Sequence, residues 1–165
     1  MSNLKQTKSE VNKFCKKKKF NFHHMEERNL SIISSCEESQ FEEILDFLFK
    51  IFHQEFPNLK NENGSIMGFD LEFSNERVAT IQLSTNLLCV IFQVSHLNSL
   101  PKSLVDYLVS EEHFKCGVGI SGGSGQGDDH VLKKTFNIKM NGCFDIGEVA
   151  LKKGITNSLI YFLVF

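Results

Sequence analysis

Met67-Gly68-Phe69-Asp70-Leu71-Glu72-Phe73 decides the reading of this chain. Arg77-Val78-Ala79-Thr80-Ile81-Gln82-Leu83-Ser84 follows almost at once. The first stretch alternates in the manner of a β-strand, on which side chains at i and i+2 share a face. Asp70 and Glu72 therefore project together from an otherwise apolar strand. Two carboxylates held that close repel each other unless a cation intervenes. A hard divalent ion such as Mg²⁺ prefers oxygen donors of this kind. On spacing alone the alternative stands beside it: a strand whose polar face happens to be acidic.

Outward from this strand the pattern predicts an organised α/β domain. Residues 66–73, 77–84 and 88–94 read as a three-strand meander, rich in β-branched and aromatic residues. Turns are expected at 74–76 and 85–86. Before them, Phe41, Ile44, Leu45, Leu48, Ile51 and Phe52 recur at helical spacing, with acids between. Ser39 and Glu42 fit a capping box for that helix, and Pro57 ends it. Downstream, 100–109 reads as a helix with Pro101 in its first turn. Residues 115–120 read as a buried strand, 131–136 as a helix, 137–140 as a short strand or turn, and 146–152 as a helix. This order predicts a mixed sheet flanked by helices.

The surrounding blocks sharpen the reading. Gly-Phe-Asp-x-Glu-Phe followed by Arg-Val-Ala-x-Ile-Gln-Leu resembles the 3′–5′ exonuclease domain of the Werner syndrome type. That is a branch of the ribonuclease-H-like superfamily named for its four catalytic acids and a tyrosine. Lys115-Cys116-Gly117-Val118-Gly119-Ile120 is similar to the strand leading into the family's second motif. Leu132–Lys139 and Phe144–Ala150 are similar to the segments that follow it. The resemblance runs from Cys36 to Phe165. It implies a ribonuclease-H-like fold and two-metal hydrolysis of DNA or RNA from the 3′ end, with Mg²⁺ or Mn²⁺ as cofactor. A helicase partner is compatible with it.

The resemblance assigns Asp70 and Glu72 as metal ligands from the first motif. Asp128 is the second-motif ligand, because Leu132 stands four positions on; Asp129 is its alternative. Helix capping is the competing role for this acidic pair. Leu71 or Phe73 would touch the terminal base. Gln82 is read as sheet structure. The family's third motif, Tyr-x-x-x-Asp on a later helix, has no counterpart. Tyr107 is followed at i+4 by Glu111, and Tyr161 by Phe165. The domain is thus expected to be cut short, with apolar sheet surface left uncovered. A non-catalytic nucleic-acid-binding or interaction module of the same fold is the second expectation.

Gly117-x-Gly119-x-x-Gly122 also matches a dinucleotide fingerprint. It fails where the rule is strictest, since Gly123-Ser124-Gly125-Gln126-Gly127 prolongs the loop where a helix should open. No Lys-Ser or Lys-Thr pair ends it, which excludes a Walker-type loop.

With 165 residues there is room for one domain. Its composition, 41% hydrophobic and 23% charged, is that of a globular protein. The net charge of −2 conceals an asymmetry, since seven of the 18 Lys and Arg lie between Lys5 and Lys19. Residues 1–35 read as a flexible basic tail preceding a domain over 36–165. Lys16, Lys17, Lys18 and Lys19 are candidate phosphate contacts or a nuclear signal. His23-His24 reads as a surface pair rather than a metal site. Five cysteines without C-x-x-C spacing predict reduced thiols, hence nucleus or cytoplasm, with the lysine run favouring the nucleus. No signal peptide and no membrane span are expected.

Overall fold

The computed structural model describes residues 2–59, 64–121 and 127–154. Seven strands form one mixed sheet in the order β1-β2-β5-β4-β3-β6-β7. They are β1 (Asn21–Met25), β2 (Leu30–Ser35), β3 (Ser65–Ser74), β4 (Arg77–Ser84), β5 (Leu88–Gln93), β6 (His113–Gly117) and β7 (Cys143–Asp145). The helices are α1 (Ser2–Lys18), α2 (Glu38–Glu55), α3 (Lys102–Val109), α4 (Asp128–Phe136) and α5 (Ile146–Lys152). The predicted meander is β3-β4-β5, paired antiparallel throughout. Strands β2, β6 and β7 each join it or one another in parallel. None of the helices among the described residues is long and apolar enough to cross a membrane.

Period-two alternation sorts the sheet into two faces. Leu71, Ile81 and Phe92 are cross-strand neighbours, and all three are buried. Helix α2 lies on this face, with the rings of Phe41 and Phe92 4.8 Å apart. Its buried stripe is Phe41, Ile44, Leu45, Phe47, Leu48, Ile51 and Phe52. Burying such a stripe is the main driving force for placing the helix there. Asp70, Gln82 and Ile91 are the corresponding row on the opposite face.

Residues 1–35 depart from the expected flexible tail. They form α1 and two paired strands, and β2 enters the sheet beside β5. Val11 and Cys15 of α1 are buried, and Phe14 stacks on Phe47 of α2 at 3.9 Å between centroids. These apolar contacts dock a helix that ends in a run of lysines. Further differences are local. Ser39 does not cap α2: Glu37 is its N-cap residue, and Ser35 Oγ accepts the Glu37 N–H at 3.0 Å. Pro101 stands at the N-cap position of α3 rather than inside its first turn. The strand expected over 115–120 is shifted to His113–Gly117. Residues 137–140 are irregular, and the edge strand is Cys143–Asp145 instead.

Candidate active site: a carboxylate pair at a split in the sheet

Strands β3 and β6 run parallel from Ser65↔His113 to Gly68↔Cys116, and their pairing then stops. β3 continues to Ser74, whereas the chain after Gly117 turns away. The split lies at the carboxyl ends of neighbouring parallel strands, the place where open α/β sheets gather ligand-binding groups. Asp70 and Glu72 stand on β3 just beyond it. The approach of the strands before the split is close. A Cβ on Gly117 would sit 2.3 Å from the Phe69 carbonyl oxygen, and one on Gly68 2.3 Å from Ser84 Oγ. Gly117→Ala is accordingly expected to cost about 1–3 kcal/mol, read as a lower melting temperature, because a backbone atom cannot step aside.

The glycine-rich stretch between Gly117 and Asp128 would be expected to loosen the approach to the second acid. Its ends show how that is avoided. Gly119 takes a left-handed φ of 77°, and its carbonyl accepts the Asp128 N–H at 3.1 Å. The Ile120 carbonyl accepts the Asp129 N–H at 3.0 Å. Residues 122–126, which lie outside the described residues, are therefore bridged by their flanks. Helix α4 opens at Asp128, six residues after Gly122, so the dinucleotide reading fails on structure as well.

The bridge brings Asp128 within electrostatic reach of Asp70. Asp128 is only 8% exposed, and its Oδ2 is buried without a hydrogen-bond partner. Burial raises its carboxyl to about 7, with Asp70 the largest charged contributor and Asp129 next; the Leu71 N–H acts the other way. Asp70 is exposed by area, yet the surrounding protein desolvates its carboxyl enough to raise it, and Glu72 raises it further. Like charges thus face each other across the split, with no cationic side chain among the causes of either shift. Asp129 differs from Asp128 in being half-buried and in accepting the His130 N–H at 2.7 Å. It does not cap the helix in the usual sense, since the N-cap residue of α4 is Gly127 and Asp129 lies in its first turn.

A buried, unpartnered carboxylate oxygen beside a second carboxylate is the donor chemistry a hard divalent cation takes. The fit is partial. Among the described residues no three acidic, His or Cys side chains converge as a metal-binding group. Asp128 is buried, Asp70 and Glu72 are both exposed on one face of β3, and of these two only Asp70 is among the groups that shift Asp128.

The other site expectations fare differently. Leu71 is buried on the α2 face and cannot meet a base beside Asp70, a correction that follows from strand alternation. Phe73, after a register shift at Glu72/Phe73, is 45% exposed. Lys16, Lys17 and Lys18 close α1 on the α2 side of the sheet, with Lys19 just beyond, and Lys18 is paired with Glu43 at 2.7 Å. The neighbouring edge strand β1 is four strands from β3, on the order of 20 Å, so the lysine run is not brought to the acids. Two residues not singled out as site residues stand on the acidic face: Gln82 opposite Asp70, and Thr80 opposite Glu72. Thr80 Oγ1 is buried without a partner. The antiparallel register of the meander was the signal that could have placed them.

Apolar surface is uncovered on this same face. Ile66 and Phe114 are cross-strand neighbours, 54% and 46% exposed, and Phe144, opposite Cys116, is 47% exposed.

Comparison with solved structures places this architecture. The chain is similar to the EXD2 exonuclease domain soaked in Mn and GMP, with a TM-score of 0.57, 23% identity, 75% of this chain covered and 60% of that chain. The EXD2 exonuclease domain soaked in Mn and Mg gives 0.57, 23%, 81% and 63%. The same domain without a named additive gives 0.57, 22%, 75% and 61%. The chain thus shares with those domains the fold of a mixed, helix-flanked sheet, and it spans about three-fifths of their length. No family model matches the chain, and no curated protein matches it.

Proposed function

We propose that this chain is a 3′–5′ exonuclease-like domain of the Werner type, acting on the 3′ end of DNA or RNA. The observation that carries the reading is the buried, unpartnered Asp128 Oδ2 facing Asp70 across the β3–β6 split. The solved EXD2 domains were soaked with Mn, Mg, GMP and dGMP, which supports a divalent ion and a nucleotide product for the related fold.

Asp70 and Asp128 would hold Mg²⁺ or Mn²⁺ from opposite sides of the split, with Glu72 joining from the same face of β3 as Asp70. A bound divalent ion lowers the pKa of a coordinated water and stabilises charge on a departing oxygen. The chain's own groups have the complementary tasks. The two carboxylates, held by β3 and by the start of α4, repel an anionic phosphate until a cation neutralises them. Desolvation at Asp128 keeps the site poised for that neutralisation. Exposed Phe73 stands next to Glu72 and offers a ring for a terminal base.

A second reading has its own observation. Among the described residues no three acidic, His or Cys side chains converge as a metal-binding group. Under it the domain binds nucleic acid without cutting it. The assay that separates the two uses a 3′-recessed, 5′-labelled DNA duplex and a matching RNA with Mn²⁺. An Asp70→Ala, Glu72→Ala variant runs beside the wild type. The exonuclease reading expects a 3′-end ladder that EDTA and the double variant abolish. Retained binding with no ladder from folded protein sustains the binding-module reading.

A further inference from the structure

At the other end of β3, on the α2 face, lies a second cluster of titratable groups unrelated to the acids. Its centre is Lys115 of β6, which is fully buried. Its Nζ donates to three backbone carbonyls: His113 at 2.6 Å, Ser110 at 2.9 Å and Tyr107 at 3.0 Å. It also sits 5.1 Å from the centre of the Tyr107 ring. The carbonyls of Tyr107 and Ser110 belong to the end of α3 and its C-cap, so one ammonium fastens that helix to β6. The joint is crowded: a Cβ on Gly142 would meet the His113 carbonyl at 2.6 Å and that of Ser110 at 3.1 Å.

Two histidines border this cage. The His113 ring stacks on Tyr107 at 5.5 Å, touches Phe49 of α2 at 5.0 Å, and its Nδ1 is hydrogen-bonded to Ser65 Oγ of β3 at 3.2 Å. His53 of α2 is near enough to act on His113 electrostatically, and its own Nδ1 is buried without a partner. The Tyr107 hydroxyl is likewise buried and unpartnered. The groups acting on His113 are therefore mostly hostile to a second charge. Lys115 from β6 and His53 from α2 oppose it, Tyr107 from α3 is neutral, and Glu112 alone favours it. Cys143, from β7, acts on Lys115 in the favourable sense.

We propose that this cluster is an acid-sensitive latch: protonation of His113 places a second cation beside caged Lys115 and releases α3 from β6. The inference goes beyond the exonuclease reading and does not depend on it. Its direction follows from linkage. Burial and then Lys115 lower the His113 pKa below its ordinary 6.5, so the folded joint prefers the neutral ring. Stability from this group is present above pH 6.5 and is lost as pH falls through the depressed value. Because β6 pairs with β3 and leads to Gly117, opening the latch would loosen one wall of the split.

Hydrogen–deuterium exchange on the full chain tests this, with rates corrected for the intrinsic pH dependence of exchange. Between pH 7.5 and 5.5, peptides covering 102–110 and 113–117 are expected to lose protection at least tenfold more than peptides from α2. His113→Gln keeps a hydrogen-bonding side chain without the charge and should remove that extra loss. His53→Gln should reduce it. Lys115→Met, if it folds, should also blunt it, since no first cation remains. If His113→Gln loosens as much as wild type, or wild type shows no selective loss, the latch is overturned. Should Lys115→Met fail to fold, the two histidine variants decide.

Discussion

Replacing Lys115 by methionine is expected to lower the melting temperature by about 10 °C at pH 7, with circular dichroism as the readout. The outcome depends on which of two opposed terms is larger. Burial disfavours the ammonium and moves its pKa from 10.5 down to about 8. That corresponds to a cost of about 3 kcal/mol for keeping it charged at neutral pH, and methionine would remove this cost. Against it stand three hydrogen bonds from a charged donor, each contributing about 1.5–3 kcal/mol. Methionine fills the space but leaves the carbonyls of Tyr107, Ser110 and His113 without their donor. The bonds outweigh the relief by about 3 kcal/mol. The same residue gives an alkaline signature. Its folded pKa lies below its unfolded one, so wild type gains stability from pH 8 towards 10.5, and the methionine variant does not.

Asp128→Asn is expected to act in the opposite direction. In metal-free buffer at pH 8 the variant should be more stable than wild type, by about 2–4 kcal/mol. The folded carboxyl has a pKa of about 7 against an ordinary 3.8, so the folded state holds its proton more tightly than the unfolded chain. Stability from this group is full below pH 3.8 and is lost as pH rises through 7. Thermal melts from pH 6.5 to 8 should therefore fall for wild type in EDTA and stay nearly flat for Asp128→Asn. Added Mn²⁺ should recover wild type at pH 8 and leave the variant unchanged. A residue that costs stability until it binds its ligand is what a functional site is expected to contain.

Much of the fold could be read from the chain because strong alternation and strong helical periodicity were present where it mattered. β3, β4 and β5 alternate buried and open positions over most of their length, and α2 carries a seven-residue apolar stripe. The first 35 residues concealed theirs. In β2 the buried positions are Ser31, Ile33 and Ser35, so two of three inward side chains are polar. They are tolerated because Ser31 bonds His24 and Ser35 bonds Gln40. In α1 the docking residues are outnumbered by lysines, and the helix is fixed by its partner's rings. Edge strand β7 has three residues, too few for a period to show.

The candidate site divides in the same way. Asp70 and Glu72 were legible because i, i+2 spacing on a strand is a local property. Which of Asp128 and Asp129 is buried was not, since it turns on a backbone bridge from Gly119 across a glycine-rich stretch. Leu71, a base contact by resemblance alone, stands next to the acids in sequence but is buried on the other face of the strand. Lys115 was legible as the start of a buried strand but its partners were not: the carbonyls of Tyr107 and Ser110 come from the end of α3, which no local pattern places beside β6.

The most direct test of the carboxylate pair is the electron paramagnetic resonance signal of free Mn²⁺ titrated with the chain at pH 8 and at pH 5.5. The account predicts loss of free-ion signal at pH 8, weaker loss at pH 5.5 where Asp128 keeps its proton, and little loss with either Asp70→Asn or Asp128→Asn. Equal binding by wild type and both variants, or no binding by any of them at pH 8, would contradict it.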